Sequence, residues 1–411
     1  MVNKLIVSVI IFAGITACHR VHEGGQKKLD FELELKTVQK GYNAEDSMWT
    51  QAYVGMIAGN PATLKVTMSK LGQGVDNYGN LYASTSEDLG STWDSPKLIA
   101  QRSFTGEGGI EQALSDVFPS WHAKSEKLLA TGKLFLYDSS NEEDPEIGRR
   151  AGYLVYNPEN DRWGDVKILE LPEFDHSGAP IINPTLGCIQ RYDMANGDIL
   201  LPMNYVRDEL EGKEDNITTV LYCSFDGENL TYIKHGDEIT IPSGRGLYEG
   251  SIAHYNDEYF LTLRANGSAY VTKSKDGLEF QPIKEWTFND GTVLGSYNTQ
   301  QHWVTHSEGL FLVYTRRGAN NDNVMRHRAP LFIGQVDPEN LSVHKETEKE
   351  LMPNRGARLG NFGVANVNQD LTVVSAAERL SPNQVTAEFD NTVYVSKILW
   401  NQPNRLMKTQ K

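Results

Sequence analysis

Cysteine is nearly absent: the 411 residues contain three, Cys18, Cys188 and Cys223. So few exclude a disulfide-dense scaffold and any zinc motif built from paired Cys-x-x-Cys units. Basic residues are also in short supply. Lys and Arg number 39 against 54 Asp and Glu, a formal charge of −15, so the surface is unsuited to holding nucleic acid non-specifically. After the first residues there is no apolar run long enough to cross a membrane, no Pro/Ser-rich linker and no low-complexity tract. Helical spacing of apolar residues is missing too. What remains is two-residue alternation punctuated by turn signals, the pattern of an all-β chain.

The N-terminus carries an address. A short basic start at Lys4 precedes an apolar run over 5–14 that is too short to span a bilayer. Ile15-Thr16-Ala17-Cys18 then resembles a bacterial lipobox, which implies cleavage before Cys18 and acylation of that residue. The alternative is an ordinary secretory signal that ends near a cysteine. The expected organisation is a signal over 1–17, a lipidated polar tether over 18–30 and one domain over 31–411. On that reading the chain is an exported bacterial lipoprotein of the outer membrane, facing the periplasm or the outside. It is expected to be a monomer that meets the membrane through its lipid alone. Cys188 and Cys223 are left either as a disulfide or as two buried thiols.

One stretch is more informative than any other: Ser86-Glu87-Asp88-Leu89-Gly90-Ser91-Thr92-Trp93. Strand-like residues flank it, at 80–85 and 94–100. The Asp can bond the backbone of its own turn, Gly90 supplies the left-handed conformation the turn needs, and Trp93 packs back on the sheet. Ser224-Phe225-Asp226-Gly227 and Ser274-Lys275-Asp276-Gly277-Leu278-Glu279-Phe280 are shorter versions at the same place in a repeating unit. Each unit pairs an inner strand–turn–strand with a hairpin of this kind. The units run over 51–100, then 127–136 with 152–163, 187–206 with 220–233, 251–264 with 269–280, 302–316 with 331–343, and 362–377 with 393–400. The last ends one strand short. Phe31-Glu32-Leu33-Glu34-Leu35-Lys36-Thr37-Val38 alternates cleanly, has no unit of its own, and would supply the missing outer strand. The expected fold is an all-β, six-bladed β-propeller closed by the N-terminal strand. Seven blades are the alternative, because the long first segment has room for another hairpin.

The first box resembles the Asp-box of sialidases and related BNR-repeat β-propellers. Tyr297-Asn298-Thr299-Gln300-Gln301-His302-Trp303 and Asn361-Phe362-Gly363-Val364 look like uncharacterised sialidase-like members from polysaccharide-degrading bacteria. Glu249, entering an inner strand, and Arg264, fifteen residues on, are similar to a sialidase pair. The resemblance implies that the Arg holds a substrate carboxylate and the Glu tunes a nucleophilic Tyr. By the same resemblance, the cluster Arg316, Arg317, Arg326 and Arg328 would supply a second carboxylate-binding Arg. Guanidinium pairs with carboxylate bidentately, which is why Arg rather than Lys suits the task. The other reading of that cluster is a loop tied to acidic neighbours. Two departures separate the chain from sialidases. Residues 53–58 hold no Arg where the family carries one, and no Tyr lies between Arg355 and Asp390.

Without that Tyr, histidines become candidate bases. His122 and His302 are placed to enter the channel ahead of inner strands, or else simply bond backbone there. His176, His235, His254, His306 and His344 read as loop or surface residues, and no pair has zinc-like spacing with a third ligand nearby. No cofactor is called for, though a channel leaves room for a structural ion. Arg-held carboxylate beside a His suggests β-elimination on a uronate, since neutralising the carboxylate stabilises the enolate-like intermediate and a neutral His can take the C5 proton. Tyr205, Tyr297 or Glu249 would protonate the leaving oxygen. A departing sugar makes the enzyme a polysaccharide lyase, and a departing hydroxyl a dehydratase. Some propeller enzymes of bacterial polysaccharide degradation, ulvan lyases among them, also rely on histidines. The rival enzyme is a sialidase-like exo-hydrolase using Glu249 with Asp322 or Glu378. A third reading is a non-catalytic glycan-binding propeller with Trp121, Trp303 and Tyr297 as sugar platforms.

Overall fold

Two-residue alternation becomes strand almost throughout. The computed structural model describes residues 28–40, 48–72, 76–105, 109–138, 146–207, 215–242, 244–380 and 391–407. Among them helix is confined to two 3₁₀ turns, Met325–His327 and Lys345–Thr347. The expected signal, Cys18 and the expected tether up to residue 27 lie outside the described residues, as do residues 381–390 of the tyrosine-free stretch between Arg355 and Asp390.

The strands form five hydrogen-bonded sheets. One has eight strands and consists of two antiparallel halves. Met48–Ile57, Thr63–Leu71, Tyr78–Ser86 and Lys97–Ala100 make one half. Phe362–Asn368, Leu371–Ala377, Val393–Trp400 and the N-terminal Phe31–Gln39 make the other. A single parallel pair, Ala52 with Phe362, joins them. The N-terminal strand pairs antiparallel with Val393–Trp400 from Phe31 opposite Trp400 to Gln39 opposite Val393, the partner its alternation called for. Phe31 is buried there against Trp400 and Phe311, so the pairing is also an apolar seal. Asn391, fully buried, ties the halves again by accepting from the Trp49 N–H and donating to its carbonyl.

The remaining sheets follow in chain order: Ile110–His122 with the hairpins after it, Ile199–Val206 with its neighbours, Tyr248–Tyr255 to Lys284–Glu285, and His302–His306 to Ser342–Val343. The core lies between neighbouring sheets, where Trp286, Trp303, Phe260 and Tyr314 are sealed from solvent. One strand departs from expectation. Ile110–His122 is the first strand of the second unit, not a lead-in to it, so His122 sits at the strand's far end. A register shift between Ser115 and Phe118 breaks the period of two and hides the strand from pattern reading.

The Asp turns follow one design. Asp88 accepts from the N–H groups of Ser91 and Thr92 at 3.0 and 2.8 Å and from the Thr92 hydroxyl, while Gly90 is left-handed at φ 82°. Asp226 and Asp276 each cap two backbone N–H groups in the same way. Asp337 is a fourth example, accepting from Glu339 and Asn340, that lacks the Ser and Gly by which the others are recognised. The bonds from Thr92 hold the Asp88 carboxyl down at about 2, below the ~3.9 of an unfolded Asp. Its contribution is therefore complete above pH ~4 and is lost as pH falls through about 2. Asp88→Ala should cost about 1 kcal/mol in urea unfolding near neutral pH, with the two proteins converging as the pH approaches 2. An equal gap at both ends of that range would refute the assignment.

Candidate functional site

Equivalent first strands carry the same irregularity. Gln51, Asp116, Cys188 and Glu249 are all left-handed, with φ between 50° and 58°. In three of the four units the ladder shifts register at that point. A bulge of this kind turns a side chain that would lie between sheets towards the channel instead. The four residues come from four successive units, and they meet. Tyr53 Oη lies 3.1 Å from Gln51 Oε1, 3.1 Å from Cys188 Sγ and 3.3 Å from Gln300 Oε1. Gly187 is required beside them, because a Cβ there would fall 2.7 Å from that of Asp116.

Charge is concentrated just beyond. Glu249 is buried, and its carboxylate accepts from Arg264 Nη1 and, at 3.1 Å, from Lys133 Nζ. Lys133 also reaches Asp116 at 3.0 Å, which makes a chain of four charges across units two and four. Burial opposes ionisation of Glu249, yet Arg264 and Lys133 outweigh it and hold the carboxyl well below its ordinary range. Asp116 goes the other way. Burial raises it, against the pull of Lys133, and its Oδ1 has no partner.

Around this pair the arginines gather. Arg264 donates to Asn298 Oδ1 at 2.7 Å and lies 4.6 Å over the Tyr248 ring. Arg328, buried, donates to the Asn298 carbonyl, and its Nε has no partner. Burial, with Arg264 and Arg326 adjacent, pushes Arg328 down to about 9. Burial and the charges of Arg379 and Arg326 do the same to Arg358, to about 10. Arg326 is lowered by burial and by Arg264. Five guanidinium groups thus crowd one mouth of a strongly acidic chain. Facing them from the first unit is Asp76, 4.0 Å from Arg379 and bonded by the Tyr78 hydroxyl. On the neighbouring rim, Tyr297 Oη lies 2.7 Å from His327 Nδ1, and His327 Nε2 lies 3.1 Å from Asp322 Oδ1. Tyr297 immediately precedes Asn298, and His327 sits between Arg326 and Arg328.

The residues singled out in the sequence scatter accordingly. Glu249, Arg264 and Arg328 meet at the mouth. Tyr297 stands beside it with Arg317 stacked 3.9 Å over its ring. Arg316 is elsewhere, paired bidentately with Glu348. Tyr205 gives its hydroxyl to Asp175, which also binds Arg207. His122 is buried at the other end of its strand, bonded to Ser125 and the Gly197 carbonyl. His302 is fully buried under the site against Ser251, Phe118 and Phe362, and burial pushes it down to about 3. Trp303 is core, its indole N–H bonded to Ser251, whereas Trp121 lines a cavity of about 310 Å³ with His254 and Thr305. Cys188 and Cys223 are free buried thiols. Sequence reasoning missed Lys133, Asp116, Asp76, Arg358, Arg379 and His327. Only the density of arginines after residue 354 hinted at two of them.

A wider groove of about 930 Å³ opens between the first two units, lined by Trp93, Tyr156, Trp163 and Lys65. Its two lysines are already matched, Lys65 with Asp161 and Lys97 with Asp94, so room alone does not recommend it. No set of three metal-type donors lies at the arginine mouth among the described residues.

No family model matches the sequence, and no curated protein does. Solved structures do match in shape. A protein of unknown function from Dyadobacter fermentans superposes with TM-score 0.59 at 16% identity, covering 89% of this chain and 99% of that one. Trypanosoma rangeli sialidase gives 0.57 at 14%, covering 85% of this chain and 55% of the enzyme. The endosialidase of phage phi92 gives 0.55 at 12%, with coverages of 93% and 71%. The chain thus spans about half the length of the trypanosomal sialidase. At such identities the likeness shows a sialidase-like β-propeller fold.

The charge chain makes a direct prediction. Glu249→Gln leaves Arg264 and Lys133 buried without their shared counter-ion, so urea unfolding should show a loss of about 3–5 kcal/mol. A loss below about 1 kcal/mol would mean the network is not sealed from water.

Proposed function

We propose that this chain is a carbohydrate-active enzyme that takes the acidic end of an oligo- or polysaccharide into its arginine mouth. The observation that carries the reading is the surplus of guanidinium there. Arg326, Arg328 and Arg358 face one another with too few carboxylates to balance them, and an anionic ligand would relieve that repulsion. Its carboxylate would sit against Arg328 and Arg326, with Arg264 fixed behind them by Glu249. The six antiparallel units are read as blades of one six-bladed propeller. The mature chain is read as an exported, lipid-anchored monomer.

The preferred chemistry is β-elimination on a uronate, with a change of base. His122 and His302 have no route to a ligand at this mouth, whereas Tyr297 and His327 stand at its edge, oriented by Asp322. The Tyr297 proton moves to His327, and the phenolate oxygen takes the C5 proton of the sugar. The electron pair forms the C4–C5 double bond, and the oxygen leaving C4 receives the proton from His327. The cycle restores both side chains, and the arginines stabilise charge on the carboxylate as it develops. Asp76 supports a second reading, exo-hydrolysis, because a half-exposed carboxylate opposite the arginines offers one of the two carboxyl groups that glycosidases use.

Mass spectrometry of uronate-terminated oligosaccharides, after incubation with protein lacking residues 1–18, separates these readings. Cleavage to an unsaturated product, or loss of water from an intact chain, is expected. Tyr297→Phe should then lower kcat by about 10²–10⁴, and Arg328→Met should mainly raise KM. Cleavage with water added would overturn elimination and direct attention to Asp76. No change across a panel of acidic glycans would overturn the enzyme reading in favour of a glycan-binding propeller.

A further inference from the structure

Away from the arginines, the third unit assembles three metal-type donors that no local spacing announces. His235 ends the strand Leu230–His235 and is buried; Glu238 follows three residues later; His176 arrives from a loop 59 residues earlier. Glu238 Oε1 lies 3.2 Å from His235 Nε2 and 3.3 Å from His176 Nδ1. The donor atoms all fall within 4.8 Å of one another. Two neighbouring features hold the group in place. The His176 backbone N–H donates to Glu238 at 2.9 Å. The adjacent Asp175 is locked by Ser177, Ala179, Tyr205 and Arg207.

We propose that His176, His235 and Glu238 form a binding site for a divalent transition-metal ion such as Zn²⁺. Donor separations of 3.2 and 3.3 Å match the edge of a tetrahedron with bonds of about 2.0–2.1 Å, roughly 3.4 Å. Two imidazoles and one carboxylate suit zinc, nickel or copper better than the oxygen-seeking Mg²⁺ or Ca²⁺. A second shell is present: the Tyr232 hydroxyl lies 2.7 Å from His235 Nδ1. Without metal, His235 Nε2 must carry the ring proton to face a carboxylate, and Nδ1 accepts from Tyr232. With metal, the proton moves to Nδ1 and Tyr232 becomes the acceptor, which fixes the ring as metal-bound histidines are usually fixed.

One adjustment is needed. The two imidazole rings are stacked at 4.0 Å and 13°, so their in-plane lone pairs run nearly parallel and one ring must turn. His176 is the one able to do so, because its side chain is 58% exposed while that of His235 is 4% exposed. The same exposure leaves a fourth position to solvent, as in an open three-ligand site. Strands alternate in direction within a unit, so His235 ends on the same side as Glu249 begins, towards the rim of the third unit.

The test uses the mature protein, treated with chelator and titrated with Zn²⁺ by calorimetry, with Mg²⁺ and Ca²⁺ as controls. One equivalent of Zn²⁺ should bind at micromolar Kd or tighter, and the affinity should fall below about pH 6 as the ligands protonate. His176→Ala, at an exposed side chain, should weaken binding at least tenfold without disturbing the fold, and His235→Ala should abolish it. Co²⁺ substitution should give the intense visible absorption of a tetrahedral site. Binding weaker than about 100 μM, or binding unchanged in the His176→Ala protein, would overturn the assignment.

Discussion

Four charges sealed inside an acidic protein organise the rest of the molecule. Asp116, Lys133, Glu249 and Arg264 link the second and fourth units through the channel, and none of them could be buried alone without heavy cost. Each position depends on a backbone decision made earlier. Asp116 and Glu249 reach the channel because their strands bulge through left-handed residues. Lys133 and Arg264 reach it because they lie on the next strand of each unit, opposite Ser115 and Tyr248 at the edge of the bulge. The network is therefore a joint product of bulges and pairing, and it fixes Arg264 before any ligand arrives. A guanidinium anchored by a buried carboxylate loses little entropy on binding an anion, which is how preorganised sites gain affinity.

The electrostatic sign of the mouth runs against that of the whole. Long-range attraction of an anionic glycan would be weak or adverse at a formal charge of −15. On the proposed reading, local chemistry at short range must compensate. Guanidinium groups gathered in a partly buried setting are poorly screened, and a carboxylate placed among them gains where an exposed one would not. A lysine cluster would serve less well, since it offers point charges without the fork that accepts two oxygens together.

Much of the architecture was legible because period-two alternation and Asp turns are local signals. The pairing of 31–38 with the final strand could be read from an unclaimed strand at one end and a deficit at the other. Glu249 and Arg264 stood out through their resemblance to a sialidase pair, and the structure bonds them to each other. Failures cluster where the chain breaks its own pattern. The bulge at Asp116 hid a strand and misdirected His122 to the wrong end of it. Arg316 looked equivalent to Arg328, but Glu348, 32 residues on, claims it. His176 and His235 carry no metal-ligand spacing in the sequence, and the fold stacks them against each other. Contacts between distant segments leave no trace in composition or period.

The distribution of groups around the mouth also orients whatever enters. Units four to six contribute the cations Arg264, Arg326, Arg328, Arg358 and Arg379, while the first unit contributes a neutral amide, Gln51, a buried phenol, Tyr53, and the acid Asp76. The third adds an un-ionised thiol, since burial pushes Cys188 up. A carboxylate therefore has one favourable side, against units four to six, and the remainder of its sugar must face Asp76 or the Tyr297 rim. A neutral sugar would meet the same arginines with nothing to offset their repulsion, and would have no reason to choose one orientation over the other. On the proposed reading, selectivity for acidic termini, and the direction in which they lie, thus follow from a single asymmetry: the five arginines of the mouth all come from units four to six.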